Sequence, residues 1–179
     1  NLFGTSLIAL DASTGERRWH FQTVKHDIWN YDNPTAPILL DLELPGQGKV
    51  PAVAQVTKQS FVYAFNRLTG EPLWPIIDRP VPQSIVPGEK LSPTQPFPTK
   101  PAPFDIQGID LDNLVDWTPE LRQQAIEALA DFEMGPLFNP AIQRGNELGK
   151  RASLFCPGGG GGANITAPPV ADPVSGYLY

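Results

Sequence analysis

The sequence has few of the residues that point to a disulfide-stabilised domain or a zinc site. Its single cysteine, Cys156, cannot form a disulfide within the chain, and there is no CxxC pair for zinc or redox chemistry. Lysine and arginine number 13 against 19 acidic residues, which gives a net charge of −6 without a polybasic run. Nucleic-acid surfaces need basic stripes, so this composition argues against nucleic-acid binding. We interpret Cys156 as a small buried apolar side chain.

Long apolar runs are also missing from the sequence. No run approaches the length of a membrane-spanning helix, and no signal peptide stands at the start. The first four residues resemble an internal point of a longer chain, and residues 176–179 resemble the first half of a strand. We therefore expect the chain to be a fragment of a longer protein.

Chain-breaking residues, in contrast, are abundant. The chain has 21 prolines and 16 glycines. Such a composition suits many short strands joined by long loops, and it disfavours a helical bundle. We expect an all-β fold.

An internal repeat supports this interpretation. Residues 9–19 and 64–74 share Ala, Thr-Gly-Glu and Trp at the same offsets, 55 residues apart, and a weaker third copy lies at 172–176. The first two copies each begin within a short apolar segment that favours a strand, at 6–10 and 61–65.

Each copy predicts a hairpin. Asp11 or Asn66 begins the turn, Gly15 or Gly70 supplies its positive φ, and the return strand carries the tryptophan. A hairpin cannot bury its own face, so hairpins that repeat at this spacing favour the blades of a β-propeller. We place blade repeats near 6–22, 60–76 and 170–179 of one propeller domain.

The stretch between the second and third repeats is predicted to be an insertion, residues 78–150. Residues 75–103 hold nine prolines and no convincing strand, so we predict a long surface loop there. A helix is predicted over 118–134, with Thr118 as its N-cap and Pro119 at its first position. An alternative role for this acidic insertion is a docking surface for a partner.

A glycine run, residues 158–162, loosely resembles a nucleotide-binding loop. No helix follows it, because prolines at 168 and 169 come shortly afterwards, so a phosphate loop is disfavoured. We predict instead a place where backbone comes close to a ligand or to another strand.

Four motifs, in order along the chain, resemble the dehydrogenases that depend on pyrroloquinoline quinone (PQQ). The two Trp-containing repeats resemble the family's tryptophan-docking motif. The other three are His-Asp-Ile-Trp-Asn-Tyr-Asp at 26–32, Thr-Lys-Gln-Ser-Phe-Val-Tyr at 57–63, and Gly-Gly-Ala-Asn at 161–164. Residues 93–97 further resemble the glucose-dehydrogenase-like branch. The resemblance implies a fragment of an eight-bladed β-propeller.

The resemblance also implies roles for the matched residues. Lys58 matches the basic residue that contacts the quinone oxygens, where a cation stabilises negative charge as hydride arrives. Asn164 matches an amide that contacts the cofactor. The family's general base is an aspartate, and here that position is Asn30, whose amide cannot accept a proton as a base.

Asp32 is the nearest substitute for that base. In an extended segment, His26, Asn30 and Asp32 lie on one face, with residues 27, 29 and 31 on the other. We therefore predict that Asn30 orients the substrate or the quinone while Asp32 or His26 takes the proton. The structural alternatives remain a His26 that bonds a backbone carbonyl and an Asp32 that merely forms a turn.

The implied activity is oxidation of a sugar or alcohol hydroxyl with hydride transfer to PQQ. The resemblance implies Ca²⁺ as a second cofactor, with ligands outside this chain, so the fragment alone is expected to be inactive. It implies ubiquinone or a cytochrome c as electron acceptor, the remaining blades as partners, and a periplasmic location, with any membrane anchor outside this sequence. The alternative is a non-catalytic propeller scaffold that shares only the docking repeats.

Overall fold

The structure, a computed structural model, describes residues 2–158, 161–163, 165 and 167–179. Most of its regular structure is strand. The strands are β1 Ser6–Leu10, β2 Arg17–Gln22, β3 Ile38–Leu44, β4 Gly48–Val56, β5 Val62–Asn66, β6 Ile76–Pro80, β7 Thr94–Pro98, β8 Phe132–Glu133 and β9 Ala152–Ser153. The helices are α1, Pro119–Leu129, and a 3-10 turn, Leu111–Asn113.

The strands form small, mostly antiparallel sheets. β1 pairs with β2, β3–β4–β5 form a three-stranded meander, and β6 pairs with β7. Only the two-residue strands β8 and β9 pair in parallel. The prediction of a strand-rich chain with little helix is confirmed.

The repeated turn has the same backbone geometry in all three copies. Gly15 donates its N–H to the carbonyl of Asp11 at 2.8 Å, Gly70 to that of Asn66 at 2.8 Å, and Gly176 to that of Asp172 at 2.9 Å. In each copy the side-chain oxygen of the first residue accepts a backbone N–H two residues on. The three glycines all have φ between 73° and 80°. The predicted turn chemistry is confirmed in each copy.

The first repeat docks on the second through its tryptophan. Trp19 donates its indole N–H to the carbonyl oxygen of Arg67 at 3.0 Å. Its ring lies 5.7 Å from that of Phe65, and a side chain at Gly70 would meet Trp19 Cγ at 2.6 Å. Because this tryptophan covers the turn of the next repeat, the repeats are joined by packing as well as by sequence.

This contact makes Gly70 more sensitive to substitution than its counterpart Gly15. Both have positive φ, so Ala costs each about 1–2 kcal/mol of folding free energy. Only Gly70 also collides with Trp19, since a side chain at Gly15 meets nothing within 4 Å. We expect Gly70→Ala to destabilise the full-length parent by a further 1–3 kcal/mol, roughly. Urea unfolding of both variants checks this, and equal losses would contradict it.

Two predictions about the middle of the chain are wrong. Residues 75–103 are not a strandless loop, because β6 and β7 pair there over five residues each. Prolines are tolerated within and at the ends of this two-stranded sheet. Each strand has one edge without a partner strand, where the N–H that proline lacks is not needed for pairing. The second repeat also lacks a full return strand: Pro72, which has no N–H to donate, forms only an isolated bridge with Phe65.

The helix begins as predicted but ends earlier. Thr118 caps α1 by accepting the N–H of Leu121 at 3.2 Å, and Pro119 is its first residue. The helix stops at Leu129 rather than near 134, because the following residues bond to another segment. Arg151 donates its N–H to the carbonyl of Asp131, and β8 then pairs with β9. The division into blade repeats and an insertion at 78–150 stays a prediction.

Cys156 is half-buried rather than fully buried. Its thiol donates to the carbonyl oxygen of Ile106 at 3.3 Å. Burial, with a smaller contribution from Asp105, raises the pKa of this thiol, so it stays protonated at neutral pH.

The main core is aromatic and lies beneath the segments that carry the predicted site. Tyr63 and Phe65 of β5 are fully buried, and the hydroxyl of Tyr63 donates to the carbonyl of Pro96 at 2.9 Å. The cluster joins the first hairpin, β4, β5 and the 137–138 segment. Its buried members are Leu7, Val24, Trp29, Tyr31, Val53, Phe61, Tyr63, Phe65, Leu137 and Phe138.

Candidate functional site

Three of the predicted site residues come together. Lys58 places its ammonium 2.5 Å from Asp32 Oδ1 and 3.1 Å from the carbonyl oxygen of Asn30. The Lys58 side chain is only 16% exposed, whereas that of Asp32 is 56% exposed. The cluster therefore holds a partly shielded cation beneath a carboxylate that solvent or a ligand can reach.

Lys58 is positioned by a tight turn between β4 and β5. Thr57 and Phe61 close this turn, with the Thr57 N–H donating to the Phe61 carbonyl at 3.0 Å. Ser60 takes a positive φ of 67° within it. The turn is buried except for Lys58, so the half-buried lysine side chain starts from a rigid base.

The glycine run lies directly against this cluster. A side chain at Gly161 would lie 2.8 Å from the carbonyl oxygen of Asn30, and one at Gly162 would lie 2.8 Å from Lys58 Cβ. Ala163 donates its N–H to the Lys58 carbonyl at 2.8 Å. The close backbone approach predicted for the glycines is confirmed, and its neighbour is the Asn30–Lys58 pair. Asn164, the predicted cofactor amide, lies outside the described residues.

The 26–32 segment follows the predicted pattern of faces but not the predicted backbone. Asn30 and Asp32 are exposed while Trp29 and Tyr31 are buried. However, His26 and Asn30 have φ of 51° and 62°, so the segment is a looped backbone and not an extended strand. The prediction of an extended segment is wrong; the alternation survives because the buried aromatic rings fix it.

The buried aromatics tie this segment to residues 137–139. Trp29 donates its indole N–H to the carbonyl of Asn139 at 2.8 Å, and the Tyr31 hydroxyl donates to that of Leu137 at 3.3 Å. Phe138 lies edge-on to both rings. Burial raises the pKa of Tyr31 above its usual range, so its hydroxyl acts as a donor and not as a base. These contacts were beyond sequence reasoning, since 106 or more residues separate the partners.

His26 is exposed and is not joined to the cluster. Within the described part of the chain, no hydrogen bond or ion pair links it to Asn30, Asp32 or Lys58. Its role as a base stays a prediction, and Asp32 is better placed for it.

Asp27 belongs to the same segment and was not among the predicted site residues. It is half-buried, and its Oδ1 accepts the N–H of Trp29 at 2.8 Å. The alternation of faces already placed it with Trp29 and Tyr31. A carboxylate on a buried face must find donors, and that signal was available in the sequence.

Neither a metal-binding cluster nor a membrane-spanning helix is found in the part of the chain that the structure describes. Over residues 2–158 and the described residues after them, no three His, Cys, Asp or Glu side chains are grouped so as to hold a metal ion. In the same residues, no helix is both long and apolar enough to cross a bilayer.

Comparison with known proteins gives a consistent assignment. The model of the PQQ protein family, the β-propeller domain of glucose/ethanol/alcohol dehydrogenases, matches residues 1–179. Quinoprotein glucose dehydrogenase of Escherichia coli is 38% identical over 151 residues, or 80% of this chain and 18% of that protein. Quinate/shikimate dehydrogenase (quinone) of Acinetobacter baylyi is 40% identical over 94 residues, 52% of this chain and 12% of that protein.

A solved structure, a europium-containing methanol dehydrogenase, is 29% identical over 41% of this chain and 14% of its own, with a TM-score of 0.37. The chain thus spans less than a fifth of the length of these relatives.

Proposed function

Because the chain belongs to the β-propeller family of PQQ-linked glucose, ethanol and alcohol dehydrogenases, we propose that it is part of an oxidoreductase that oxidises a sugar or alcohol hydroxyl. The whole enzyme is an eight-bladed propeller to which this chain contributes blades and one wall of the active site. The observation that carries the proposal is the convergence of Lys58, Asp32 and Asn30 against the glycine run.

The chemistry of this cluster fits PQQ. PQQ is an anionic ortho-quinone, rich in acceptor oxygens, and Lys58 offers a partly shielded cation while the Asn30 amide offers a neutral donor. A side chain at Gly161 would collide with Asn30 and one at Gly162 with Lys58, so glycine lets the run pack directly against this pair and hold it in place. When bound, PQQ supplies the quinone that takes up the substrate hydride. Asn164, which follows the run, is proposed as a further contact.

Asp32 is the proposed proton acceptor. Its Oδ1 is bound by Lys58, which leaves Oδ2 available, and the side chain is exposed enough to reach a substrate hydroxyl. Oδ2 would take the proton of the substrate hydroxyl while hydride leaves the carbon that bears this hydroxyl, which becomes a carbonyl. The Asn30 amide cannot take the proton. Its proposed role is to hold the substrate by hydrogen bonds.

Three parts of the proposal concern the parent protein and not this chain alone. We propose Ca²⁺ as a second cofactor whose ligands belong to the rest of the parent. Electrons then pass to ubiquinone or a cytochrome c, and the enzyme works in the periplasm.

The test is a dye-linked dehydrogenase assay on the full-length parent, loaded with PQQ and Ca²⁺ and offered glucose, quinate, glycerol and ethanol. We expect turnover with at least one substrate and loss of turnover without PQQ. A protein that binds no PQQ and reduces no dye with any of the four would contradict the proposal.

One observation favours a second candidate, a non-catalytic propeller scaffold. Asn30 stands where the family resemblance implies the general base, which is the change expected of a lost active site. A parent that binds PQQ yet stays inert would favour this scaffold. Lys58 and its carboxylate partner favour the enzyme, because a scaffold has no need of a shielded cation at this point.

A further inference from the structure

Asp27 lies behind the cluster, on the buried side of the 26–32 segment. Its Oδ1 accepts the N–H of Trp29 at 2.8 Å, and its Oδ2 accepts the hydroxyl of Thr5 at 3.5 Å. Burial raises the pKa of Asp27, while the backbone N–H groups of Trp29 and Tyr31 act in the opposite direction. The carboxylate is thus held inside the loop, facing the backbone on both sides of Asn30.

This arrangement fixes Asn30 in an unusual conformation. Its φ of 62° is left-handed, a region that asparagine enters more readily than most non-glycine residues and that the contacts of its neighbours stabilise here. Trp29 and Tyr31, which flank Asn30, are both buried. With its neighbours held, Asn30 presents its carbonyl to the Lys58 ammonium at 3.1 Å.

We propose that Asp27 is a positioning residue of this site, which acts through the backbone of Asn30 to fix the ammonium of Lys58. Without the carboxylate, the N–H of Trp29 loses its acceptor and the loop relaxes from the left-handed conformation. The carbonyl of Asn30 then turns away, and Asp32 alone holds Lys58. The significance for catalysis rests on the function proposed above, but the geometry can be tested without cofactor.

The test is the accessibility of Lys58, measured in the full-length parent by competitive acetylation and mass spectrometry, with the exposed Lys49 as internal reference. We expect Asp27→Ala to raise the labelling rate of Lys58 about fivefold. Asp27→Asn keeps one acceptor oxygen, so we expect a smaller rise of about twofold and an intact fold. An unchanged Lys58 rate in both variants would overturn the proposal.

Asp11→Ala is the matched control, because Asp11 also accepts backbone N–H groups within a turn but lies in the first repeat. We expect no change in Lys58 labelling there. An equal rise in Asp11→Ala would show general loosening, and it would overturn the proposal as well.

A second measurement separates this inference from the proposed function. In a parent that binds PQQ, Asp27→Ala should raise the Kd for PQQ about fivefold, but less than twofold when Lys58 is already Met. Equal changes in both backgrounds would contradict action through Lys58. Absence of PQQ binding in every protein would contradict the proposed function, and the labelling result for Asp27 would stand by itself.

Discussion

The Asp32→Asn variant of the full-length, PQQ- and Ca²⁺-loaded parent should lose activity by a factor of about 10²–10⁴ in kcat, the usual contribution of a general base. Asparagine keeps the shape of the side chain and one acceptor oxygen for Lys58, but it cannot take a proton. Asp32 is the exposed carboxylate of the cluster, with one oxygen on Lys58 and the other available. Dye-linked turnover under saturating substrate measures the loss.

Two further variants show whether the lost proton acceptor is the cause. Asp78→Asn is the matched control, because Asp78 also pairs with a lysine, Lys25, at 2.5 Å and is similarly exposed, 54% against 56% for Asp32. We expect it to leave kcat within twofold. Asn30→Asp in the Asp32→Asn background restores a carboxylate to the cluster and should recover part of the activity. Full activity in Asp32→Asn would contradict the assignment.

The local chemistry of the repeats could be predicted, but the pairing in the middle of the chain could not. The turns at Gly15, Gly70 and Gly176 follow from Asp or Asn at the start and glycine four residues later, which is information within five residues. The β6–β7 pair depends instead on contacts between residues 14 to 22 positions apart, such as Ile76 with Pro98. Proline content there argued for a loop, and tertiary pairing overrode that local signal.

The site shows the same division. The resemblance of the 26–32 and 57–63 motifs to the PQQ-dependent dehydrogenases implied a shared site for Asn30, Asp32 and Lys58, and the structure brings these three residues together. What the pattern could not show is the left-handed backbone at Asn30, which needs the buried Trp29 and Tyr31 on either side and Asp27 behind. An alternating sequence predicts a strand unless such tertiary contacts are known. The direct ion pair between Lys58 and Asp32 is likewise visible only in three dimensions.

Lys58 is where we expect the second large effect. Lys58→Met keeps the length and apolar stem of the side chain but removes the only cation that contacts Asn30 and Asp32 among the described residues. Without the ammonium, negative charge that develops at this place in the transition state lacks a partner. Preorganised donors of this kind contribute a factor of about 10²–10³ to kcat. We expect a loss of that size in kcat, with less change in KM for the sugar or alcohol. PQQ affinity, measured by fluorescence titration, should weaken as well.

Lys25→Met is the matched control for this variant, because Lys25 makes an ion pair of the same length with Asp78 outside the cluster. Lys58→Arg tests geometry apart from charge: arginine keeps the cation, but its planar fork does not fit the space that a compact ammonium fills. We expect Lys58→Arg to retain more activity than Lys58→Met and less than the parent. If kcat of Lys58→Met instead stays within twofold of the parent while kcat of Lys25→Met falls, the cation beside Asn30 has no part in turnover. The shielded Lys58 side chain then serves only to pack against the glycine run.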